Sequence, residues 1–144
     1  MNFTSQICTT KEQSERLLSL RLKKETADMY YPTISEDEHT IRACWEDFWD
    51  SRKAIDGYIR RRCVPAWSLH RLIEMMPNKI SVYDSSASLI VSNEKVQYYL
   101  HDVEYSDYLT SAGRWKSGNI YDNIIDCIGW LIKEGYFNKE YLEE

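Results

Sequence analysis

Long apolar runs are missing from this sequence, since no stretch approaches the roughly 18 consecutive apolar residues of a membrane-spanning helix. The opening residues MNFTSQICTT also lack the basic and then apolar layout of a secretory signal peptide. We therefore expect no membrane partner and a cytoplasmic location. Cysteines stay reduced in that compartment, so free thiols are expected at Cys8, Cys44, Cys63 and Cys127.

Positive charge is also scarce, because 18 Lys and Arg residues face 23 Asp and Glu residues, and the net charge is −5. A mildly acidic chain gains nothing from the phosphate attraction that drives non-specific binding to nucleic acid. Internal repeats and low-complexity tracts are absent. With 144 residues the chain is expected to form one domain, residues 1–144, whose core needs neither metal nor disulfide.

Metal-binding and catalytic patterns are missing as well. The soft-ligand set His39, Cys44, Cys63 and His70 has four, eighteen and six intervening residues, whereas zinc sites use tightly spaced pairs. No serine lies in a Gly-x-Ser-x-Gly turn, and the glycines match no phosphate-binding loop. Acidic residues are plentiful, but nothing places two of them in the different environments that acid–base catalysis needs. We predict no catalytic residue, no metal and no cofactor. Enzymatic activity stays uncertain, and the missing catalytic patterns favour a protein that is not an enzyme.

Two cysteines bear on nucleophilic catalysis. Cys127 lies within the apolar rhythm of a predicted helix, where burial raises the pKa of a thiol and blunts its reactivity. Cys8 lies near the start of the sequence, close to an end that is expected to be mobile. Neither thiol is expected to act as a nucleophile.

The clearest element lies between Asn119 and Phe137. Its aliphatic residues recur at three- and four-residue spacing, which places them on one helix face: Ile124, Ile125, Ile128, Leu131 and Ile132. Gly135 follows the last of them, where a helix ends through left-handed backbone. The pattern predicts a C-terminal amphipathic helix with Phe137 folded back on its last turn.

Another helix is predicted near the start of the sequence. Thr9 with Glu12 and Thr10 with Gln13 each match a capping box, so either threonine can begin this helix. Its apolar side is expected to carry Leu17, Leu18 and Leu20. A further helical turn is predicted over Glu25–Tyr31, where a proline follows.

A short helix is predicted between Ser68, which is a good N-cap residue, and Pro77. Its apolar face would consist of Leu69, Leu72, Ile73 and Met76. The segment before it is ambiguous. From Ser35 to Arg62 an acidic start and an apolar stripe indicate one long helix, or two pieces broken near Gly57.

The apolar pattern then changes to a period of two, which is typical of half-buried strands. Three strands are predicted around Ile80–Val82, Ala87–Val91 and Val96–Leu100. Asp102 to Tyr108 is a candidate fourth strand, and the polar stretch Thr110–Gly118 is expected to be a loop. This order of elements predicts an α+β fold, a single domain with several helices packed on a small antiparallel sheet of three to four strands.

One group of candidate interaction residues is basic. Arg60, Arg61 and Arg62 are consecutive, and Arg71 follows on the short helix. Helices joined by a proline turn and followed by strands also have the order of a winged helix. The arginines therefore either contact nucleic acid or form a solvated face.

A second group, Arg114, Trp115 and Lys116, places a tryptophan between two cations in the predicted loop. Loops held on a scaffold often carry binding residues. The alternative is that Trp115 packs onto the sheet. Tyrosine and tryptophan are abundant, with 11 and 5 residues, and their large apolar bodies with one polar group suit protein interfaces.

Three segments resemble uncharacterised small phage, prophage or other mobile-element proteins of gut bacteria: Glu25–Tyr31, Pro65–Pro77 and Tyr121–Phe137. The middle segment is the most specific, because Trp67 precedes the capping Ser68 and a leucine-rich turn. The resemblance implies a mobile-element origin and an α+β fold, and it implies no activity. Residues 35–63 do not match the pattern and are interpreted as an insertion relative to that family.

The leading hypothesis is a non-enzymatic accessory protein of a phage, prophage or mobile element, acting through protein–protein contact in the cytoplasm of a bacterial host cell. A winged-helix-like nucleic-acid-binding regulator is the alternative, and a small enzyme with an unrecognised site is the second alternative. The expected partner is an unknown protein. Nucleic acid is less favoured, and a homo-oligomer stays open.

Overall fold

The computed structural model describes residues 6–31, 42–43, 63–82, 85–100, 111–116 and 118–144, with the backbone alone at 42–43 and 111–114. In these residues the chain forms three α-helices and seven strands in two antiparallel sheets, an α+β fold as predicted. It divides into two compact units, the first comprising Met1–Leu72 and Glu140–Glu144 and the second Ile73–Lys139. The single domain and the insertion at 35–63 stay predictions.

In the first unit, helix α1 spans Lys11–Ser19. The Thr10 side chain accepts a hydrogen bond from the Gln13 backbone N–H at 3.1 Å, and the Gln13 side chain accepts one from the Thr10 N–H at 3.0 Å. This capping box confirms the prediction for Thr10. Leu17 is buried but Leu18 is exposed, so the predicted apolar side is wrong at Leu18. Consecutive helix positions point about 100° apart, and only one of the two leucines faces the core.

Helix α1 is followed by Arg21, a non-glycine residue with left-handed backbone at φ 74°. Two hydrogen bonds hold this turn, from the Arg21 N–H to the Leu18 oxygen at 2.9 Å and from the Leu22 N–H to the Leu17 oxygen at 3.3 Å. They are the pair of bonds that close a Schellman motif. Since a side chain in this conformation costs about 1–2 kcal/mol, the turn is held by the bonds around it.

A three-stranded antiparallel sheet follows, in the order β2-β1-β3, with β1 at Met29–Tyr31, β2 at Arg42–Ala43 and β3 at Val64–Ala66. A 3₁₀ turn at Lys24–Thr26 precedes it. The helical turn predicted up to Tyr31 is therefore wrong beyond Thr26, because both neighbouring strands pair with β1. Pro65 is tolerated in β3 because a proline without an N–H suits an edge strand, and β3 is an edge within the described sheet.

The predicted helix from Ser35 to Arg62 is wrong at residues 42–43, which form β2. Met29 pairs with Ala43 and Tyr30 with Arg42, so long-range pairing determines the conformation there. The rest of that predicted helix lies outside the described residues.

Helix α2 spans Leu69–Met75, as predicted. Its N-cap is Ser68, whose Oγ accepts a hydrogen bond from the Arg71 backbone N–H at 3.2 Å. Leu72 and Met76 are buried, which confirms two positions of the predicted apolar face.

The second unit contains a four-stranded antiparallel sheet in the order β4-β5-β6-β7. Its first three strands are β4 at Lys79–Val82, β5 at Ser85–Val91 and β6 at Val96–Leu100. These are the three strands predicted from the period-two pattern. Alternate residues fill the core, among them Ile80, Val82, Ala87, Val96 and Tyr98.

The fourth strand, β7, spans Ser111–Trp115, where a loop was predicted. That prediction is wrong because β7 pairs with β6 along its length, with a register irregularity between Tyr98 and Tyr99. A polar segment with a glycine carries little strand signal of its own, and pairing to a neighbouring strand overrides it. The candidate strand at 102–108 lies outside the described residues.

Helix α3 spans Ile120–Glu134 and contacts β6 and β7. Asn119 begins it, its side chain accepting from the Tyr121 N–H at 2.8 Å and the Asp122 N–H at 3.2 Å. Gly135 ends it at φ 81°, and Phe137 is buried just beyond. The C-terminal amphipathic helix is confirmed, and its fully buried face comprises Ile124, Ile125, Cys127, Ile128 and Leu131.

Replacing Ile128 or Leu131 by alanine should lower the free energy of unfolding by roughly 2–5 kcal/mol, because each is 0% exposed and leaves a cavity. Urea denaturation monitored by circular dichroism measures the loss. Ile132→Ala is the matched control, since Ile132 is only half-buried and its replacement should cost less. A loss below about 1 kcal/mol at both buried positions would show that this face does not form the core.

Candidate functional site

The predicted interaction residues lie in different parts of the chain. Arg60, Arg61 and Arg62 lie outside the described residues. Arg114 and Trp115 belong to β7 and not to the predicted loop, with Arg114 opposite Gln97 in the sheet register. Lys116 follows the strand and is exposed. The structure therefore gives Trp115 and Lys116 a fixed backbone position at the end of a strand.

An aromatic cluster surrounds Trp130 of helix α3. The ring centroid of Trp130 lies 5.4 Å from that of Trp115, 5.7 Å from that of Tyr136 and 6.1 Å from that of Tyr98. All three pairs are tilted and within the range in which aromatic rings attract each other. Trp115, Trp130 and Tyr136 remain half-exposed, whereas Tyr98 is buried. We call Trp115, Trp130 and Tyr136 the aromatic patch.

Tyr98 anchors the aromatic patch from below. Its hydroxyl donates a hydrogen bond to the Pro77 carbonyl at 2.7 Å, which satisfies the polar group of a buried ring. Burial raises the pKa of Tyr98 well above its ordinary value, and the nearby Cys127 adds to the rise. Tyr98 therefore stays neutral and structural. Trp115 combines both interpretations from the sequence, since its ring packs against Trp130 and part of it faces solvent.

The face of this sheet opposite the aromatic patch carries two exposed apolar side chains. Tyr98 pairs with Leu89, so the alternate residues Ile90 and Tyr99 point to the other side of the sheet. Ile90 is 39% exposed and Tyr99 is 37% exposed. They are diagonal neighbours in the register, because Ile90 pairs with Gln97. Ser86 and Ser88 of β5 and Lys79 and Ser81 of β4 lie on the same face by the register.

A buried polar network centres on Trp67 in the first unit. The Trp67 ring N–H donates to the Thr26 hydroxyl at 2.9 Å, and its backbone N–H donates to the Thr9 hydroxyl at 3.1 Å. The Thr9 N–H in turn donates to the Trp67 carbonyl at 2.9 Å. Trp67 is 0% exposed, so each of these groups would be costly to leave without a partner.

A serine–carboxylate pair lies next to this network. Ser68 donates its hydroxyl to one Asp28 oxygen, and the Ser68 N–H donates to the other oxygen at 2.8 Å. A serine nucleophile needs a base that removes its proton and a third group that orients the base. Here the serine hydroxyl is the N-cap of α2, and the nearby His70 is exposed. The pair therefore joins α2 to the segment before β1 and is structural.

Arg71 is the basic candidate on α2. Its Nε–H donates to the Thr26 carbonyl at 2.8 Å, and its guanidinium lies 5.6 Å from the centre of the Tyr141 ring. The side chain is half-buried. Arg71 thus contacts residues of its own unit. The nucleic-acid hypothesis instead requires an arginine side chain that reaches out to a phosphate group.

Cys8, which was expected near a mobile end of the chain, is itself packed in the core of the first unit. Cys8 is 1% exposed, and its Sγ lies 3.5 Å from the Tyr31 hydroxyl, which donates to the Thr9 carbonyl at 2.8 Å. Burial raises the pKa of Cys8, and the Asp28 charge raises it further against the effect of the Tyr31 hydrogen bond. The thiol packs with Tyr31 and Ala66 as a small core residue.

Neither a metal-binding cluster nor a membrane-spanning helix occurs in the part of the chain that the structure describes. Within the described ranges from 6 to 144, no group of three or more His, Cys, Asp and Glu side chains is placed to hold a metal ion. His39 and Cys44 of the soft-ligand set lie outside those ranges. None of the described helices is long and apolar enough to cross a bilayer.

No protein-family model matches this chain, no curated protein matches it, and no solved structure matches it. The resemblance to mobile-element proteins therefore stays an interpretation of three sequence segments.

The buried thiol of Cys127 should make the protein sensitive to alkaline pH. Burial raises the pKa of Cys127 above its ordinary value of 9.0, so the folded state favours the neutral thiol. The contribution of this thiol to the free energy of unfolding is complete below about pH 9. It is lost as the pH rises further, because Cys127 ionises at a lower pH in the unfolded chain than in the folded one. Urea unfolding from pH 7 to 10 should show falling stability, with a smaller fall in Cys127→Ala. Equal slopes in both proteins would contradict the assignment.

Proposed function

We propose that this chain is a non-enzymatic accessory protein of a phage, prophage or other mobile element, and that it acts through protein–protein contact. The aromatic patch with the exposed Lys116 beside it is the contact surface in this proposal. Protein interfaces are enriched in tryptophan and tyrosine, and hot spots are centred on them.

The observation that carries the proposal is the half-exposed position of Trp115, Trp130 and Tyr136 around one tryptophan. Rings that are held in place by each other lose little side-chain entropy when a partner covers them. The anchored Tyr98 beneath and the strand position of Trp115 fix the patch before binding. A preformed aromatic surface of this kind suits the recognition of a protein partner.

The groups that resemble catalytic residues support the same proposal, because each has a structural task. Cys8 and Cys127 are buried with raised pKa values, so little thiolate is present near neutral pH. Ser68 caps a helix and is held by Asp28. A structural role therefore explains why these three residues, Cys8, Cys127 and Ser68, are present.

The segments that resemble mobile-element proteins have a structural task too. Glu25–Tyr31 contributes Thr26 and strand β1, Pro65–Pro77 contributes Trp67 and helix α2, and Tyr121–Phe137 is most of helix α3. They contain the N-cap Ser68, the helix-ending Gly135 and part of the core of each unit. A resemblance confined to elements of the fold leaves the contact surface to be inferred from this chain's own exposed residues.

Photo-cross-linking tests this function. A photoreactive amino acid replaces Lys116 beside the aromatic patch, and in a control protein it replaces Asn93, which is exposed in the turn between β5 and β6. Irradiation of host cells that produce each protein should give one discrete protein adduct from position 116 and none from position 93. Adding Tyr136→Ala to the first protein should weaken the adduct several-fold, roughly the effect of losing one interface aromatic.

Three results would contradict the proposal. Equal adducts from both positions would show non-specific proximity. An adduct with nucleic acid would favour the winged-helix-like regulator. No adduct at position 116, with the protein folded by circular dichroism, would show that the aromatic patch is not the contact surface.

A further inference from the structure

Residues 140–144, here called the strap, lie along residues 21–23 of the first unit, here called the docking edge. Two backbone hydrogen bonds join them, from the Lys23 N–H to the Tyr141 oxygen at 2.9 Å and from the Glu143 N–H to the Arg21 oxygen at 2.7 Å. Together they make Leu22 and Leu142 an antiparallel bridge. The strap therefore occupies the docking edge as a short added strand. Main-chain bonding of this kind accepts any extended peptide, and side chains then select among peptides.

The Lys23 side chain donates a hydrogen bond to the Glu140 carbonyl at 3.1 Å, which any extended peptide could accept, so selectivity comes from a second side-chain contact. The Arg71 guanidinium lies 5.6 Å from the centre of the Tyr141 ring, within the range of a cation–π interaction. Arg71 is held in this position by its hydrogen bond to the Thr26 carbonyl. An arginine that is fixed beforehand favours an aromatic residue at one position of an extended peptide.

Charge supplies a second selection. The docking edge and the residue after it carry Arg21, Lys23 and Lys24 in a chain whose net charge is −5. The strap is acidic, with Glu140, Glu143 and Glu144. Opposite charges on two facing segments favour encounter and register, and salt weakens them.

The docking edge is built without the strap. The hydrogen bonds that fix the turn at Arg21 come from helix α1, through the Leu17 and Leu18 carbonyls. The strap itself is shallow, because Tyr141 and Leu142 are only half-buried and Glu143 is exposed. A preformed edge covered by a shallow strap is a site in which one extended segment can replace another.

We propose that the docking edge together with Arg71 is a binding site for an extended acidic peptide of a partner protein, with an aromatic residue over Arg71, and that the strap occupies the site until the partner segment displaces it. This inference rests on the proposed function, since it names a second contact and its chemistry. The strap shows which peptide fits: an aromatic residue, an aliphatic residue and then an acidic residue, as in Tyr141, Leu142 and Glu143.

A labelled peptide with the sequence of residues 139–144, Lys-Glu-Tyr-Leu-Glu-Glu, tests the site by fluorescence anisotropy. It is titrated against the unsubstituted chain and against the full chain carrying Tyr141→Ala and Leu142→Ser, in which the strap is weakened. The second protein should bind about ten-fold more tightly, because an occupied site lowers the apparent affinity by the free fraction. Affinity should fall as salt rises.

Two matched changes separate selective from non-selective binding. Arg71→Lys in the weakened-strap protein should reduce affinity several-fold, since lysine cannot keep the planar contact with both the carbonyl and the ring. A peptide with alanine in place of tyrosine should lose a similar factor. Equal binding by all proteins and peptides would overturn the proposal.

Hydrogen exchange in the unsubstituted chain decides the matter if the weakened-strap protein does not fold. Excess unlabelled peptide should speed exchange of the Glu143 amide and leave that of the Ser14 amide in helix α1 unchanged. An unchanged exchange rate of the Glu143 amide would overturn the proposal. A dimer of the unsubstituted chain that exchanges straps would also overturn it, because the docking edge would then bind a second copy of this chain. A partner cross-linked at position 116 without peptide binding would leave the proposed function standing and remove this site.

Discussion

The first unit depends on one buried hydrogen bond, from the Trp67 ring N–H to the Thr26 hydroxyl. A buried indole N–H without a partner is costly, so folding must bring the 3₁₀ turn at Lys24–Thr26 to Trp67, two residues before helix α2. The Thr26 hydroxyl donates onward to the Lys23 carbonyl at 2.6 Å, next to the docking edge. The turn, helix α2 and the edge that receives the strap are therefore linked through Thr26.

Local signals in the sequence predicted local structure well. The Thr10 cap, the glycine at 135 and the alternation from Val96 to Leu100 each depend on neighbours within a few residues, and each has the predicted structure. The failures depend on distant partners. Ser111–Trp115 becomes a strand only because β6 lies beside it, and Met29–Tyr31 only because two strands flank it.

The candidate sites follow the same division. A tryptophan between two cations is visible in the sequence and indicates Trp115 and Lys116, whereas the strand that positions Trp115 is not visible there. The contacts of Asp28 with Ser68 and of Tyr141 with Arg71 join residues far apart in the chain, and no spacing rule indicates them. Both proposed contact surfaces, the aromatic patch and the docking edge, bring together residues that are distant in the sequence and meet only when the chain folds.

The polar network around Trp67 holds the first unit together. A double-mutant cycle with Trp67→Phe and Thr26→Val, followed by urea denaturation, tests it most directly. The two changes remove the same hydrogen bond, so their combined cost should fall short of the sum by roughly 0.5–3 kcal/mol. A double-mutant cost within about 0.3 kcal/mol of the sum of the two single-mutant costs would show that this bond contributes nothing. The network would then not hold the first unit together.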